Sequence, residues 1–235
     1  MSFLTAEWRK LILANYKINP DILAPYVPAK TELDSWQGSH YLSLVGFRFL
    51  NTRLMGISIP FHEHFEEANL RFYVRYKSEE GWRRGVVFIK EIVPKRALSL
   101  VANWVYQEHY QTLPMSHIWQ ENPKSQIISY TWMGYGQTHI LQVEAQKEPK
   151  KILEGSEAEF ITEHYWGYTQ VNPNKTYEYQ VTHPKWEQYP ILATHIQVDF
   201  GAVYGKRFGF LNEQEPDSVM LAEGSEITVE KRRKL

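Results

Sequence analysis

The chain contains no cysteine. That excludes disulfides, a thiolate nucleophile and any zinc site built on Cys ligands, and it fits a reducing compartment. No apolar run reaches the roughly 18 residues that a membrane-crossing helix needs. The opening stretch, MSFLTAEWRKLILANY, is broken by Glu7, Arg9 and Lys10. It therefore lacks the apolar core of about 7–15 residues found in a secretory signal. A cytoplasmic protein with no membrane segment is expected. An excess of charge of one sign is also missing. There are 26 basic and 27 acidic residues and a net charge of -1, so no global field draws nucleic acid. The basic run Lys231-Arg232-Arg233-Lys234 reads as a solvated tail. Also absent are a Gly-x-Ser-x-Gly elbow, a phosphate-binding P-loop and a strand-linked Gly-x-Gly-x-x-Gly, which argues against esterase, NTPase and dinucleotide-dependent readings. No internal repeat, low-complexity linker or shift in composition marks a boundary.

What is present is enough chain for a real core, since roughly 70% of the unfolded surface disappears at this size. Residues 1–235 are taken as a single domain. Tyr (15) and Trp (8) are abundant, which suits a large core or an aromatic-lined cavity. Residues 5–15 place Trp8, Leu11, Ile12 and Tyr16 at helical spacing and predict an amphipathic helix. Asn19-Pro20-Asp21 signals a second short helix. Residues 39–49 are apolar on both alternating faces and predict a buried strand. A turn and short partner strand follow at 51–58, a clean alternation at 67–76, and a return strand at 85–92. Helical spacing then runs over 95–108 through Leu98, Val101, Ala102 and Val105. Two strands, 125–133 and 138–145, flank Gly134-Tyr135-Gly136, and a charged loop occupies 146–151. Ser156 opens a capping box and a short helix to His164. A hairpin is expected around Asn172-Pro173-Asn174, a short helix at 198–204, and two strands, 218–222 and 226–230, around Gly224-Ser225. The sum is an α+β, mainly antiparallel chain, with a closed or nearly closed barrel or double sheet and a few short peripheral helices.

Five stretches stand in a distinctive order: ELDSWQGSHYLSLVGFRF (32–49), FHEHFEEANLRFYVR (61–75), EFITEHYWGY (159–168), VTHPKW (181–186) and AEGSEITV (222–229). Together they resemble the YqjF-like family of uncharacterised bacterial proteins, a domain of unknown function grouped with the acetoacetate decarboxylase-like superfamily. The resemblance covers nearly the whole chain. It implies a β-barrel-like double sheet around an inner cavity. The characterised decarboxylase of that superfamily uses a Schiff-base lysine in a Tyr-Pro-Lys-Lys corner after a strand. Here Val93-Pro94-Lys95-Arg96 follows the strand at 85–92, so the resemblance makes Lys95 the positional candidate. The tyrosine is replaced by valine and the second lysine by arginine.

A Schiff-base lysine must be neutral to attack a carbonyl, and burial or nearby cations such as Lys90 and Arg96 lower its pKa. Asn69, Arg71, Tyr73 and Arg75 share one strand face. If that face points inward, its guanidiniums need carboxylate partners, with Glu66, Glu67 and Glu91 at hand, or an anionic ligand. If it points outward, it is a solvated face. On an extended segment His62 and His64, two apart, would point the same way and could supply two ligands to a metal ion. A third ligand would come from Glu66, Glu67, His109 or His117. Loop histidines are the plainer reading, so no metal and no cofactor are assigned. The first functional expectation is a small-molecule-binding barrel in which Arg71, Asn69, Tyr73 and His64 meet a small anionic or carbonyl-bearing ligand. The alternative is a keto-acid enzyme with Lys95 as nucleophile and Glu91 or Glu67 moving protons. The third is a structural or interaction protein, and homo-oligomerisation is left open.

Overall fold

A strand buried on both faces is the unit from which this fold is built. The computed structural model describes residues 2–235, and within these the side chains at 101, 102 and 106 lie outside the described residues. β1 (Leu4–Ile18) leads into α1 (Pro20–Leu23), where the Asn19 side chain accepts the Asp21 N–H at 2.9 Å and proline opens the helix. β2 (Thr31–Leu33), β3 (His40–Leu54), β4 (Ile57–Ser58), β5 (Phe65–Ser78) and β6 (Gly81–Val93) follow. α2 (Arg96–Tyr106) ends at Gln107 in the left-handed region (φ 61°), and β7 (Tyr110–Thr112) returns beside β6. Leu98 and Val105 of the predicted helical spacing fall on α2, while the side chains at 101 and 102 fall outside the described set. Then come β8 (Met115–Glu121), β9 (Ser125–Gly134), β10 (Gln137–Gln146), β11 (Lys150–Lys151) and α3 (Glu157–Thr162). β12 (Trp166–Asn172) and β13 (Lys175–Thr182) form the expected hairpin, and β14 (Glu187–Tyr189), β15 (Ile191–Gln197), α4 (Phe200–Tyr204), β16 (Ser218–Val229) and β17 (Arg233–Lys234) complete the chain.

The larger sheet runs β11-β14-β16-β1-β3-β5-β6-β12-β13-β17, and β13 also pairs with β16. This bends the sheet into a nearly closed ring. The two joins that complete it are short: Trp166↔Gly85 and Gly167↔Val86 in parallel, and Val181↔Val229 and Thr182↔Thr228 antiparallel. The result is a nearly closed ring and not a regular barrel. The smaller sheet, β15-β10-β9-β8, stacks on its outer face. Gly46 marks the contact, since a Cβ there would lie 3.0 Å from both Leu141 and Tyr130. Ile12, Leu42, Leu44, Leu70 and Phe72 fill the layer between the sheets, whereas Leu11, Leu13, Val45, Phe47 and Phe65 point into the ring.

The predicted helix at 5–15 is instead β1. The physical reason is a β-bulge. The register with β3 shifts between Arg9 and Ile12, and Lys10 takes φ 53°. One extra residue turns the two-residue strand period into a three-residue step, so Trp8 and Leu11 both belong to the ring interior. That spacing imitates a helix. Gly224 faces the bulge at φ +81°, and a Cβ there would sit 2.0 Å from the Trp8 carbonyl oxygen. The two strands expected at 218–222 and 226–230 are accordingly one strand, β16, with this glycine inside it. The basic run is exposed at Lys231, Arg233 and Lys234, as expected, but it is not a free tail. β17 pairs with β13, Arg233 donates to Glu178 at 2.5 Å, and the Arg232 guanidinium lies 4.2 Å from the centre of the Tyr177 ring. No helix among the described residues is long and apolar enough to cross a membrane.

The ring closes at Gly85, where a Cβ would lie 2.4 Å from the Trp166 carbonyl oxygen. Gly85→Ala is expected to lose about 1–3 kcal/mol or more in urea unfolding, the range for overpacking. Gly209→Ala, whose nearest atom lies 3.7 Å away, is expected to change the midpoint far less.

Candidate functional site

Inside the ring lies a cavity of about 210 Å³ with a predominantly aromatic and aliphatic wall. Trp8, Phe47, Phe49, Phe65, Phe88 and Trp186 supply much of it. Polar groups enter from several elements. β5 sends Glu67, Asn69 and Arg71 inward because Phe65 and Tyr73, at the same parity, belong to the ring interior. The neighbouring strand reaches the cavity only through a second bulge. The β5–β6 register shifts between Leu70 and Arg71, so that Lys90 faces Leu70 and Phe88 faces Arg71. Ile89 is the extra residue, and beyond it the parity of β6 reverses, which turns Glu91 inward opposite Asn69.

The turn after α2 supplies the third carboxylate. The Asn103 side chain donates to the Tyr110 carbonyl at 2.9 Å and accepts the Tyr110 N–H at 2.8 Å. This clamp fixes the chain where Glu108 and Tyr110 enter the cavity. Tyr110 donates to Glu67 at 3.2 Å, as does the Asn69 amide at 2.9 Å. Thr169 and Tyr179 donate to Glu108 at 2.6 and 3.2 Å.

Three buried carboxyls facing one space cannot all be ionised. Burial pushes Glu67 up to about 7 against the hydrogen bonds from Asn69 and Tyr110. Burial also raises Glu108 to about 7 against its bonds from Thr169 and Tyr179. Glu91 is raised well above the ordinary carboxylate range, first by burial and then by the charges of Glu108 and Glu67. The cluster thus holds protons at neutral pH, and its members can give or accept them.

Arg71 is the cation of the cavity. It is only 8% exposed. No carboxylate lies within 4.0 Å of its guanidinium among the described residues, and its Nε has no hydrogen-bond partner. The Tyr73 ring centre lies 5.8 Å from the guanidinium carbon. Asn69 Oδ1, Glu91 Oε2 and His164 Nδ1, all on residues of the wall, also lack partners.

The sequence-predicted residues separate accordingly. Glu67, Asn69, Arg71 and Glu91 come together in the cavity. Tyr73 is buried behind it, sharing a hydrogen bond with Ser43 at 2.7 Å. Arg75 lies further along the same face, paired with Glu32 at 2.6 Å. Glu66 points to the other face and meets His117 at 2.5 Å. His64 is exposed and accepts the Asn51 N–H, while His62 lines the cavity. Among the described residues no group of three His, Asp or Glu side chains is arranged to hold a metal ion. Lys95 stands at the N-cap of α2, partly exposed, and no lysine is among the described residues that line the cavity. Glu108, Tyr110, His164, Tyr179 and His183 are cavity residues that the strand patterns did not mark.

Comparison with known proteins agrees with the motif resemblance. The sequence profile of the DUF2071 family, described as an uncharacterized conserved protein, matches residues 5–226. The uncharacterized protein YqjF of Bacillus subtilis is 35% identical over 75 residues, which is 32% of this chain and 31% of that protein. The matched segment thus spans about a third of that relative. Among solved structures, an acetoacetate decarboxylase from Legionella pneumophila superposes with a TM-score of 0.67 at 12% identity, over 99% of this chain and 86% of that one. The enduracididine biosynthesis enzyme MppR, complexed with pyruvate, gives 0.68 at 10% identity over 100% and 91%. An acetoacetate decarboxylase-like enzyme from Sphingomonas wittichii gives 0.67 at 11% identity over 100% and 94%. At these identities the likeness is one of fold, and the fold is acetoacetate decarboxylase-like.

The raised glutamates make stability depend on pH. The folded chain keeps protons that the unfolded chain releases near 4.5, so their contribution is present below 4.5 and lost as pH rises through about 7. His164 works the other way. Burial holds it down to about 4, so its contribution is present above 6.5 and lost as pH falls through 4. A comparison with one carboxyl removed separates the two. Glu108→Gln is expected to gain stability relative to wild type between pH 5 and pH 8, by about 1–3 kcal/mol in urea titrations. A difference that stays flat across that range would show that Glu108 is already ionised at pH 5.

Proposed function

The chain belongs to the DUF2071 family, and we propose that it binds a small carboxylate in the ring cavity, with Arg71 as the anchor. The observation that carries this reading is the uncompensated buried guanidinium. A buried ion without a partner costs several kcal/mol. The internal candidates relieve that cost only in part: the charge of Arg71 acts on Glu67, but burial outweighs it. Glu67, Glu91 and Glu108 are each driven toward the protonated form by burial. An anion arriving from outside supplies the missing charge, and a planar carboxylate matches the donor fork of arginine. The aromatic and aliphatic wall then takes an apolar body, and the volume suits a molecule of a few to about a dozen heavy atoms. In this reading the ligand is met in the cytoplasm, and neither nucleic acid nor membrane takes part.

A catalytic version of the same site has one observation in its favour: carboxyls poised near 7 border the space the ligand would fill. Glu67 and Glu91 would move its protons. The Schiff-base form has less support, because Lys95 sits at the helix end and not on the cavity wall.

Calorimetric titration with pyruvate, propionate, phenylpyruvate and hydrocinnamate tests the binding reading. At least one acid is expected to bind, its amide not to bind, and Arg71→Met to weaken the acid by about 30-fold or more, the cost of removing one member of a buried charge pair. Equal binding of acid and amide would overturn it. Borohydride treatment with pyruvate is expected to leave the intact mass unchanged, and a Lys95-dependent adduct would replace this reading with the Schiff-base one.

A further inference from the structure

The Arg71 cation is not the whole polar complement of the cavity. His164 also lines it, with its side chain 1% exposed. The ring is locked. Its Nε2 lies 3.2 Å from Asp34 Oδ2, and it packs against Tyr73 and Phe160 at centroid distances of 4.7 and 5.0 Å. Asp34 is itself held. Arg84 Nε donates to the same oxygen at 2.7 Å, and the Ser35 N–H donates to Oδ1 at 2.9 Å. Asp34 is buried, yet His164 and Arg84 keep its carboxyl well below the ordinary aspartate range.

An ionised Asp34 only accepts, so the Nε2 of His164 must carry the proton. That fixes the tautomer and leaves a lone pair on Nδ1. This Nδ1 has no partner among the described residues, and neither has Asn69 Oδ1 on the same wall. A buried acceptor without a donor costs about 1–3 kcal/mol. Arg71 supplies a donor surplus for an anion, but these two neutral acceptors ask for the opposite. The charges of Arg84 and Arg71 both act against a second cation at His164, which disfavours an ammonium group there. A hydroxyl donates a hydrogen bond without bringing charge.

We propose that His164 is a specificity-determining residue of the cavity: its Nδ1 accepts a hydrogen bond from a hydroxyl on the bound acid, and Asp34 and Arg84 are positioning residues that hold its tautomer. The ligand class is then a hydroxy acid with an apolar body, rather than a keto acid or a plain carboxylic acid. This rests on Arg71 taking the carboxylate, as proposed above.

Two matched series test it: phenyllactate, phenylpyruvate and hydrocinnamate, and lactate, pyruvate and propionate. In wild type the hydroxy acid of the better-binding series is expected to bind about tenfold or more tightly than both its keto and its unsubstituted partner, the equivalent of one hydrogen bond. His164→Phe is expected to erase that preference, read as the ratio of hydroxy-acid to unsubstituted-acid affinity within the same variant. Asp34→Asn is expected to reduce the preference in the same direction. Nitrogen-15 NMR of the wild-type histidine rings gives a readout that a merely structural role would not move. The His164 signals are expected to report a protonated Nε2 and a free Nδ1, and Nδ1 to shift toward the hydrogen-bonded range on adding the hydroxy acid but not the plain acid. If the acids bind equally well, or if Nδ1 carries the proton, this inference is overturned while the anion-binding reading stands. If no acid of either series binds, the anion-binding reading falls, and this inference falls with it.

Discussion

The strands β1, β3 and β5 are buried on both faces, and the rest of the molecule depends on what each face meets. A strand covered on both sides has no solvated register to fall back on. One parity must satisfy the inter-sheet layer, where Leu42, Leu44, Leu70 and Phe72 pack against Tyr130, Trp132 and Leu141. The other must satisfy the ring interior, where Val45, Phe47, Phe65 and Tyr73 lie. In the first half of β5 the polar side chains at the second parity face the cavity. Glu67, Asn69 and Arg71 are there for that reason, on a strand whose opposite face carries Ala68, Leu70, Phe72 and Val74.

Bulges then adjust the pattern where simple alternation would aim a side chain the wrong way. The bulge at Lys10 changes the parity of β1, and the Tyr130 hydroxyl donates to the Lys10 carbonyl at 2.8 Å, using a backbone group that the ladder leaves over. The bulge at Ile89 reverses β6 and brings Glu91 inward. One such insertion decides whether a glutamate joins the cavity or the opposite layer. This is a cheap way to tune a site on a fixed scaffold.

The electrostatic character of the cavity follows from crowding. Three carboxyls and one guanidinium share one cavity, so protonation is the easiest way for the carboxyls to coexist. Arg71 cannot lose its proton, and it stays the fixed charge around which the others arrange. Asp34 lies outside this group because Arg84, His164 and Ser35 all donate to it. The site therefore contains two separate kinds of acid: one held ionised by its donors, and three held near neutrality by burial.

Much of this was legible in the sequence where local pattern and final environment agree. The alternation through β5 put Asn69, Arg71 and Tyr73 on one face, Asn19-Pro20 announced α1, and Ser156 announced α3, where it accepts the Glu159 N–H at 3.2 Å. The five motif stretches, which carry strands of the ring, were enough to indicate the family and the double sheet. Pattern failed where a single residue breaks the period. The bulge at Lys10 made β1 read as a helix, because a step of three residues fits both structures. The partners of the cavity were also out of reach. Glu108 follows a left-handed turn, and His164 meets Asp34 from 130 positions away; no local periodicity encodes either. The sequence by itself determined which side chains share a face where the two-residue period runs unbroken, as through β5, because that depends on neighbours two residues apart. Only the tertiary structure decided which face was the inside, which carboxyls crowd together and which charge was left unpaired, because those depend on how the ring closes.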